Sequence, residues 1–383
     1  MEHTIRSCTL DSRRFFMKKK FTSYITTILF LTLLFSLTIA NCFHEKVDFS
    51  INENRSLSSF PSLTFSNIVQ GNFDQQFENW LSDHFPFRDA WIMTKAAVKK
   101  ACGAIENNNV YFGEDNHLIK QELDYDKTTI QNNISYIQQF TENNNIKANI
   151  LLIPDACYGE EQLLPKGTVN MDEKEMIQSI QQDLQDQTII DITDTIHDTK
   201  NTYYKTDHHW NENGALLGYE AICKDVLNKK PNTFHFQKVS DSFQGTMVTK
   251  SGVFWNEADK INKMECDIPF QVKVTYDNTV MKDSLFEEDN LQKKDQYTYY
   301  LDGNHALVDI KTNVKTKKKA VIVKDSYAHI LLPYLASEYR EIQVVDLRYY
   351  SQSTSSLLDK NTDFYMIYSL ESFVNDNHLA LLY

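Results

Sequence analysis

The chain has 383 residues, a formal charge of −13 and 42% hydrophobic side chains, with 20 Tyr and 23 Phe against only 10 Gly. That length suffices for one large domain or two ordinary ones, and the composition can bury a substantial core, which excludes global disorder. Residues 1–43 hold six basic side chains against Glu2 and Asp11, which leaves −17 for the rest, a surplus that repels phosphate backbones and argues against a nucleic-acid partner.

In chain order, Phe21 to Phe43 carries no charge and is preceded by Arg13, Arg14, Lys18, Lys19 and Lys20. About twenty such residues cross a bilayer as a helix, and the basic flank holds the preceding end in the cytoplasm. Ile39-Ala40-Asn41-Cys42 puts Asn directly before Cys, a poor cleavage site, so an uncleaved anchor is expected. Met17, just before the lysines, also reads as a true start. The expected divisions are a cytoplasmic tail over 1–20, a transmembrane signal anchor over 21–43, and a tether with a helical extension over 44–122. Within that extension, Asp74–Leu81 reads as a short helix, and Pro86 breaks any helix that follows. Asp89 can cap a helix running to about Ala101, with Gly103 as its stop, and Val110–Gly113 reads as a short strand and turn.

From about Leu123 helix and strand alternate. Ile130, Ile134 and Ile137 recur at helical spacing, and Ala148–Ile153 is an apolar strand stopped by Pro154. Residues 172–184 read as helix and Thr188–Ile192 as strand, and Ala215, Leu216, Tyr219, Ile222, Cys223 and Val226 share one helical face. Residues 231–310 are β-rich and irregular, with Phe270, Val272, Val274 and Tyr276 alternating. Ala320–Val323 is a short strand followed by a helix to about Ser337, and Glu341–Val345 and Phe364–Tyr368 supply two more strands. This pattern predicts an α/β fold, a parallel, doubly wound sheet with helices on both faces and reactive groups beyond the carboxyl ends of its strands. The six cysteines (8, 42, 102, 157, 223 and 266) form no CxxC pair and describe no disulfide framework.

Two polar constellations fall at such positions: Tyr203-Tyr204-Lys205-Thr206-Asp207-His208-His209-Trp210 and Val323-Lys324-Asp325-Ser326-Tyr327-Ala328. A serine at a strand-to-helix turn is exposed, and the amides behind it can face a developing oxyanion. It needs a base, and an imidazole held by a carboxylate is the usual one. Taken singly, the serine turn also reads as a plain N-cap. The two histidines also read as a metal pair, a packed histidine or a surface pair. Trp210 reads as core. The paired aspartates that manganese phosphoesterases need after apolar strands are missing, so neither a metal nor a cofactor is expected.

Taken together, several segments resemble the DHHW family, relatives of the alginate O-acetylation proteins within the SGNH-hydrolase-like group. They are Glu53-Asn54-Arg55 with Phe60-Pro61, Gly71-Asn72-Phe73 with Asp83-His84-Phe85-Pro86-Phe87-Arg88-Asp89, and Val110-Tyr111-Phe112-Gly113. Lys205 to Trp210 with Gly214-Ala215, Phe243-Gln244-Gly245-Thr246, Gly303-Asn304-His305, Lys324-Asp325-Ser326-Tyr327 and Val345 to Tyr350 complete the set, which spans roughly residues 53–375. The resemblance implies an SGNH-hydrolase-like (flavodoxin-like) domain over 123–383 with the β-rich insertion around 231–310. It also implies that Asp207 orients His209, His209 deprotonates Ser326, and Ser326 takes an acyl group. Lys324 replaces the family's glycine and brings a cation to the turn. The amides of Ser326 and Tyr327 are the oxyanion donors to expect, Asn304 is the side-chain candidate, and His208 is a support residue or alternative base.

The function implied is an extracytoplasmic O-acyltransferase, with acetyl as the acyl group and a surface or secreted polysaccharide as acceptor. A membrane-bound O-acyltransferase is the implied partner. A carbohydrate esterase with the same trio, or a non-catalytic polysaccharide-binding or assembly protein, are the alternatives. A neutral sugar acceptor suits an acidic body in which no basic groove is legible.

Overall fold

A computed structural model describes residues 2–382, with side chains from Phe21 onward. Met1, Tyr383, and the side chains that flank the expected start at Met17 lie outside the described residues. The chain forms two compact units, residues 1–92 and 93–383.

In the first unit one helix runs over Glu2–Phe43. Its 23-residue portion Phe21–Phe43 has a mean hydropathy of 2.0 and is long and apolar enough to cross a membrane. Strands β1 (Phe49–Ser50) and β2 (Arg55–Ser56) pair antiparallel, followed by helices Phe65–Val69 and Asn72–Asp83. The next helix begins at Arg88, so Asp89 sits in its first turn instead of capping it. Two of the motif segments meet here. Arg55 binds Glu53 at 2.7 Å and Asp83 at 2.5 Å, and Arg88 binds Glu53 at 2.7 Å. Phe60 packs edge-on against Phe77 and Trp80.

The second unit starts at residue 93, so residues 93–122, expected in the extension, fold with the larger body. β3 (Val110–Phe112) and β4 (Leu118–Lys120) form a hairpin whose Leu118 N–H donates to Lys205 O at 2.8 Å. The remaining strands are β5 (Ala148–Ile153), β6 (Thr188–Ile190), β7 (Phe234–Phe243), β8 (Asp259–Cys266), β9 (Val272–Tyr276), β10 (Val280–Lys282), β11 (Leu307–Thr312), β12 (Lys319–Lys324), β13 (Glu341–Val345) and β14 (Thr362–Ser369). Among the described residues the central sheet has eight strands in the order β10-β9-β11-β13-β12-β14-β5-β6.

β13, β12, β14, β5 and β6 run parallel, as the alternation of apolar strands and helices predicts. β11, β9 and β10 join antiparallel, which departs from an all-parallel sheet. The reason is local: β9 and β10 are joined by a tight turn in which Asp277 and Asn278 take positive φ (47° and 58°), and such a hairpin needs no crossover helix. Part of the 231–310 insertion therefore widens the sheet, while β7 and β8 pair as a separate ribbon.

Period-two alternation sorts the strand residues onto two cores. Leu151, Ile153, Ala320, Ile322, Ile342 and Val344 face helix Glu212–Asp225 through Ala215, Tyr219 and Ile222. Ile150, Leu152, Val321, Val323 and Met366 face helices Lys127–Asn144 and Glu173–Asp183. The cysteines at 42, 102, 157, 223 and 266 are all unbridged.

Helix Glu212–Asp225 is capped by Asn211, whose side chain accepts from the amides of Asn213 and Gly214. It packs so closely that a Cβ on Gly214 would lie 2.4 Å from Thr202 O and 3.0 Å from the Trp210 Cβ. Gly214→Ala should therefore destabilise the unit by about 1–3 kcal/mol in urea denaturation, and a wild-type midpoint would contradict this packing.

Candidate active site

β12 ends at Lys324, and Asp325 caps the turn of 3-10 helix Ser326–Leu331. One Asp325 oxygen accepts from Tyr327 N–H at 3.0 Å, and the other accepts from Ser369 N–H (2.9 Å) and Oγ (2.7 Å) at the end of β14. Two further side chains fix the serine's own backbone. Tyr297 Oη donates to Ser326 O at 3.0 Å, and the buried Trp210 Nε1 donates to Tyr327 O at 2.7 Å. The long helix anticipated after β12 is instead this 3-10 segment followed by a short helix, Leu332–Leu335, with Pro333 near its start.

Residues 203–210 form a closed loop, with a bridge between Tyr203 and Trp210. The loop aims Asp207 and His209 at each other. His209 Nδ1 lies 2.5 Å from Asp207 Oδ1, and its Nε2 lies 2.8 Å from the half-buried Ser326 Oγ. With Nδ1 protonated toward the carboxylate, Nε2 is free to accept the serine proton. The other Asp207 oxygen accepts from Thr246 N–H (2.8 Å) and Oγ1 (2.9 Å). Burial pushes the Asp207 carboxyl up, but His208, His209 and the Thr246 amide outweigh it and hold it below the usual carboxylate range. The approach of the 243–246 segment needs a glycine, because a Cβ on Gly245 would lie 2.3 Å from the Asp207 Cβ. Beneath them, buried Asp259 accepts from Lys205 N–H (2.9 Å) and from Thr206 N–H (2.8 Å) and Oγ1 (2.5 Å).

The expected accessory residues are placed differently. Tyr327 N–H is taken by Asp325, which leaves Ser326 N–H, the first amide of the turn, as the backbone donor at the serine. Asn304 accepts from Arg348 Nη2 at 3.1 Å, and no bond joins it to Ser326 among the described residues. Lys324 does not bring free charge to the turn. It is buried, with Nζ 2.8 Å from Asp346 Oδ2 and 2.9 Å from His329 Nε2, and Arg348 binds the same carboxylate at 2.6 and 2.8 Å. His208 donates through Nδ1 to Thr246 Oγ1 at 2.8 Å. Burial and then His209 push its pKa down to about 4, so it is neutral at pH 7.

Sequence reasoning missed Tyr297, whose ring stacks flat on His209 (3.8 Å between centroids, 7° between planes). Nothing in Tyr297-Thr298-Tyr299-Tyr300 distinguishes it as a site residue. Gly245-Thr246 was visible as a motif but without a role.

Asp207, His208 and His209 offer donor atoms within 4.8 Å of one another, a spacing a metal ion could use. Here Asp207 Oδ1 and His209 Nδ1 are spent on each other, and His209 Nε2 on Ser326, so binding an ion would break the chain of hydrogen bonds.

Behind the serine, Tyr327 Oη donates to His208 O at 2.7 Å and lies 3.2 Å from Asp155 Oδ1. Burial, then Glu173, pushes the Asp155 carboxyl well up. Glu173 accepts from Asp155 N–H (2.8 Å) and Cys157 Sγ (2.9 Å).

Comparison with known proteins adds the fold family. Residues 110–293, just under half of the chain, match the family model for the SGNH hydrolase-like domain of acetyltransferase AlgX. The domain is SGNH-hydrolase-like. A DHHW family protein from Eubacterium siraeum is 21% identical over 72% of this chain and 96% of its own, with a TM-score of 0.63. Bacillus cereus PatB1, solved with a sulfonyl adduct, is 19% identical over 70% of this chain and 96% of its own, with a TM-score of 0.57. The O-acetyltransferase domain of Pseudomonas putida AlgJ is 12% identical over 70% and 94%, with a TM-score of 0.45. No curated protein matches the sequence.

Burial pushes Glu173 up to about 8, while in the unfolded chain it ionises near the ordinary value of about 4.3. Above that value the unfolded state loses a proton that the SGNH-like domain retains, so stability falls as pH rises from about 4.5 to 8. Urea denaturation at pH 5, 6.5 and 8 should show this decline, and Glu173→Gln should flatten it. An equal slope in both proteins would contradict the assignment.

Proposed function

We propose that this chain is an extracytoplasmic O-acyltransferase, transferring acetyl groups to a polysaccharide hydroxyl through Ser326, His209 and Asp207. The observation that carries the reading is the continuous chain from Asp207 Oδ1 through His209 Nδ1 and Nε2 to Ser326 Oγ at 2.5 and 2.8 Å. The match of residues 110–293 to an acetyltransferase domain supports it.

In the first half-reaction His209 Nε2 takes the Ser326 proton as Oγ attacks the donor's acyl carbon. The bond to the donor oxygen then breaks, and His209 returns the proton to the departing alcohol. In the second, a sugar hydroxyl loses its proton to His209 and attacks the acyl-serine, and Ser326 Oγ leaves and is reprotonated. Asp207 holds the tautomer and balances the imidazolium. Ser326 N–H faces the negative oxygen of each tetrahedral intermediate. The flat stack of Tyr297 on His209 fixes the ring plane while the ring gains and loses its proton. No metal or cofactor enters these steps.

Phe21–Phe43 would serve as a single-pass anchor that holds the domain on the outer membrane face. There a membrane-bound O-acyltransferase could deliver the acyl group to be passed to the polysaccharide. A carbohydrate esterase would use the same first half-reaction with water in the second.

The full chain in non-ionic detergent should turn over an activated acetyl ester, and Ser326→Ala and His209→Ala should each lower the rate by about 10³-fold or more. A sulfonyl fluoride should label Ser326 in the wild type but not in His209→Ala. Turnover that survives both substitutions would overturn the reading. Adding an oligosaccharide and weighing the products separates transfer from hydrolysis.

A further inference from the structure

Two clefts open at the end of the sheet away from Ser326, and they share Phe270 and Asn313 as a common wall. One, of about 570 Å³, is lined by Lys273, Lys311 and Arg340. The other, of about 560 Å³, is lined by Lys229, Lys315 and Lys318. Only Asp283 and Glu338 supply negative charge to either, and Glu338 is already held by Lys229 at 2.6 Å. On a body whose remaining charge is strongly negative, this is a concentrated local reversal of sign.

The register of the sheet creates it. Lys273 on β9 stands directly opposite Lys311 on β11, and Arg340 immediately precedes β13. Like charges placed opposite one another on a sheet weaken it. Lys273, Lys311, Lys315 and Arg340 make no ion pair among the described residues to offset that cost. The acidic residue opposite Lys311 on its other side, Glu341 of β13, is engaged by Lys319 at 3.0 Å.

We infer that this groove binds the phosphodiester groups of an anionic glycopolymer. Two ammonium groups from one cross-strand pair, with a guanidinium beside them, can surround a tetrahedral phosphate, whereas a single arginine already satisfies a planar carboxylate. The half-buried Phe270 offers one flat apolar face, enough for a sugar ring but not the series of stacking platforms that single-stranded nucleic acid uses. Concave clefts suit a chain better than a planar bilayer. β12 starts at the groove and ends just before Ser326, so about 20 Å separates the two, and a polymer, but not a monosaccharide, could reach both.

Poly(glycerol phosphate) titrated against the full chain in detergent micelles should bind in calorimetry, with affinity falling steeply as salt rises. Lys273→Glu/Lys311→Glu should weaken it at least about tenfold, and the charge-conserving Lys273→Arg/Lys311→Arg should bind like the wild type. Ser326→Ala should bind unchanged, so the result is read apart from any turnover and stands whether or not Ser326 is a nucleophile. No binding, or equal affinity in the double glutamate variant, would overturn the inference. So would tighter binding to oligothymidylate of equal charge, or groove-dependent binding confined to phosphatidylglycerol vesicles.

Discussion

A carboxylate sealed from water must find a donor for each of its lone pairs, and Asp207 draws its donors from separate stretches of chain. His209 lies two residues away, while the Thr246 amide and hydroxyl come from a segment nearly forty residues on. That segment can approach only because residue 245 lacks a side chain. Asp259 in turn binds the amides of Lys205 and Thr206 and so holds the loop that presents Asp207. The position of the imidazole, and through it the distance to Ser326, follows from how these segments close around one buried charge.

Ser326 is held with the same economy from the other side. Asp325 ties the turn to β14, Trp210 ties it to the histidine loop, and Tyr297 joins the two by binding Ser326 O while stacking on His209. Since Trp210 directly follows His209, any shift of the loop is felt at both the base and the serine turn. Geometry of this kind suits a reaction in which the same nitrogen must receive and return a proton twice without the ring turning away.

Lys324 shows how a charge beside the serine turn can be absorbed. At the end of a central strand its ammonium would be costly alone, but Asp346 at the end of β13 stands one strand away and Arg348 completes the network. The charge is thereby spent inside the fold, and the serine turn keeps its polar surroundings without a neighbouring free cation. The basic groove at the opposite end of the sheet is the converse case, where like charges are gathered and Lys273, Lys311, Lys315 and Arg340 make no ion pair among the described residues.

Much of the fold was legible in the chain, because strand and helix periodicity are local properties. The parallel core strands, the helix behind Asn211 and the apolar segment 21–43 all follow from spacing and capping alone. The antiparallel edge was not legible, since whether a β-rich insertion stands apart or joins the sheet depends on which edge is open to it. Asp207, His209 and Ser326 could be named from short motifs whose residue types announce their chemistry. Tyr297 could not, because an aromatic among twenty tyrosines acquires meaning only from what it stacks on, and the motif around Asn304 gave no sign of its bond to Arg348. The sequence by itself determined most of the elements, the apolar segment and the candidate reactive groups, since each rests on neighbours within a few residues. The tertiary structure alone decided their distances, the donors of Asp207, the fate of Lys324 and the basic groove. All of these arise where segments distant along the chain are brought together by burial of the two cores.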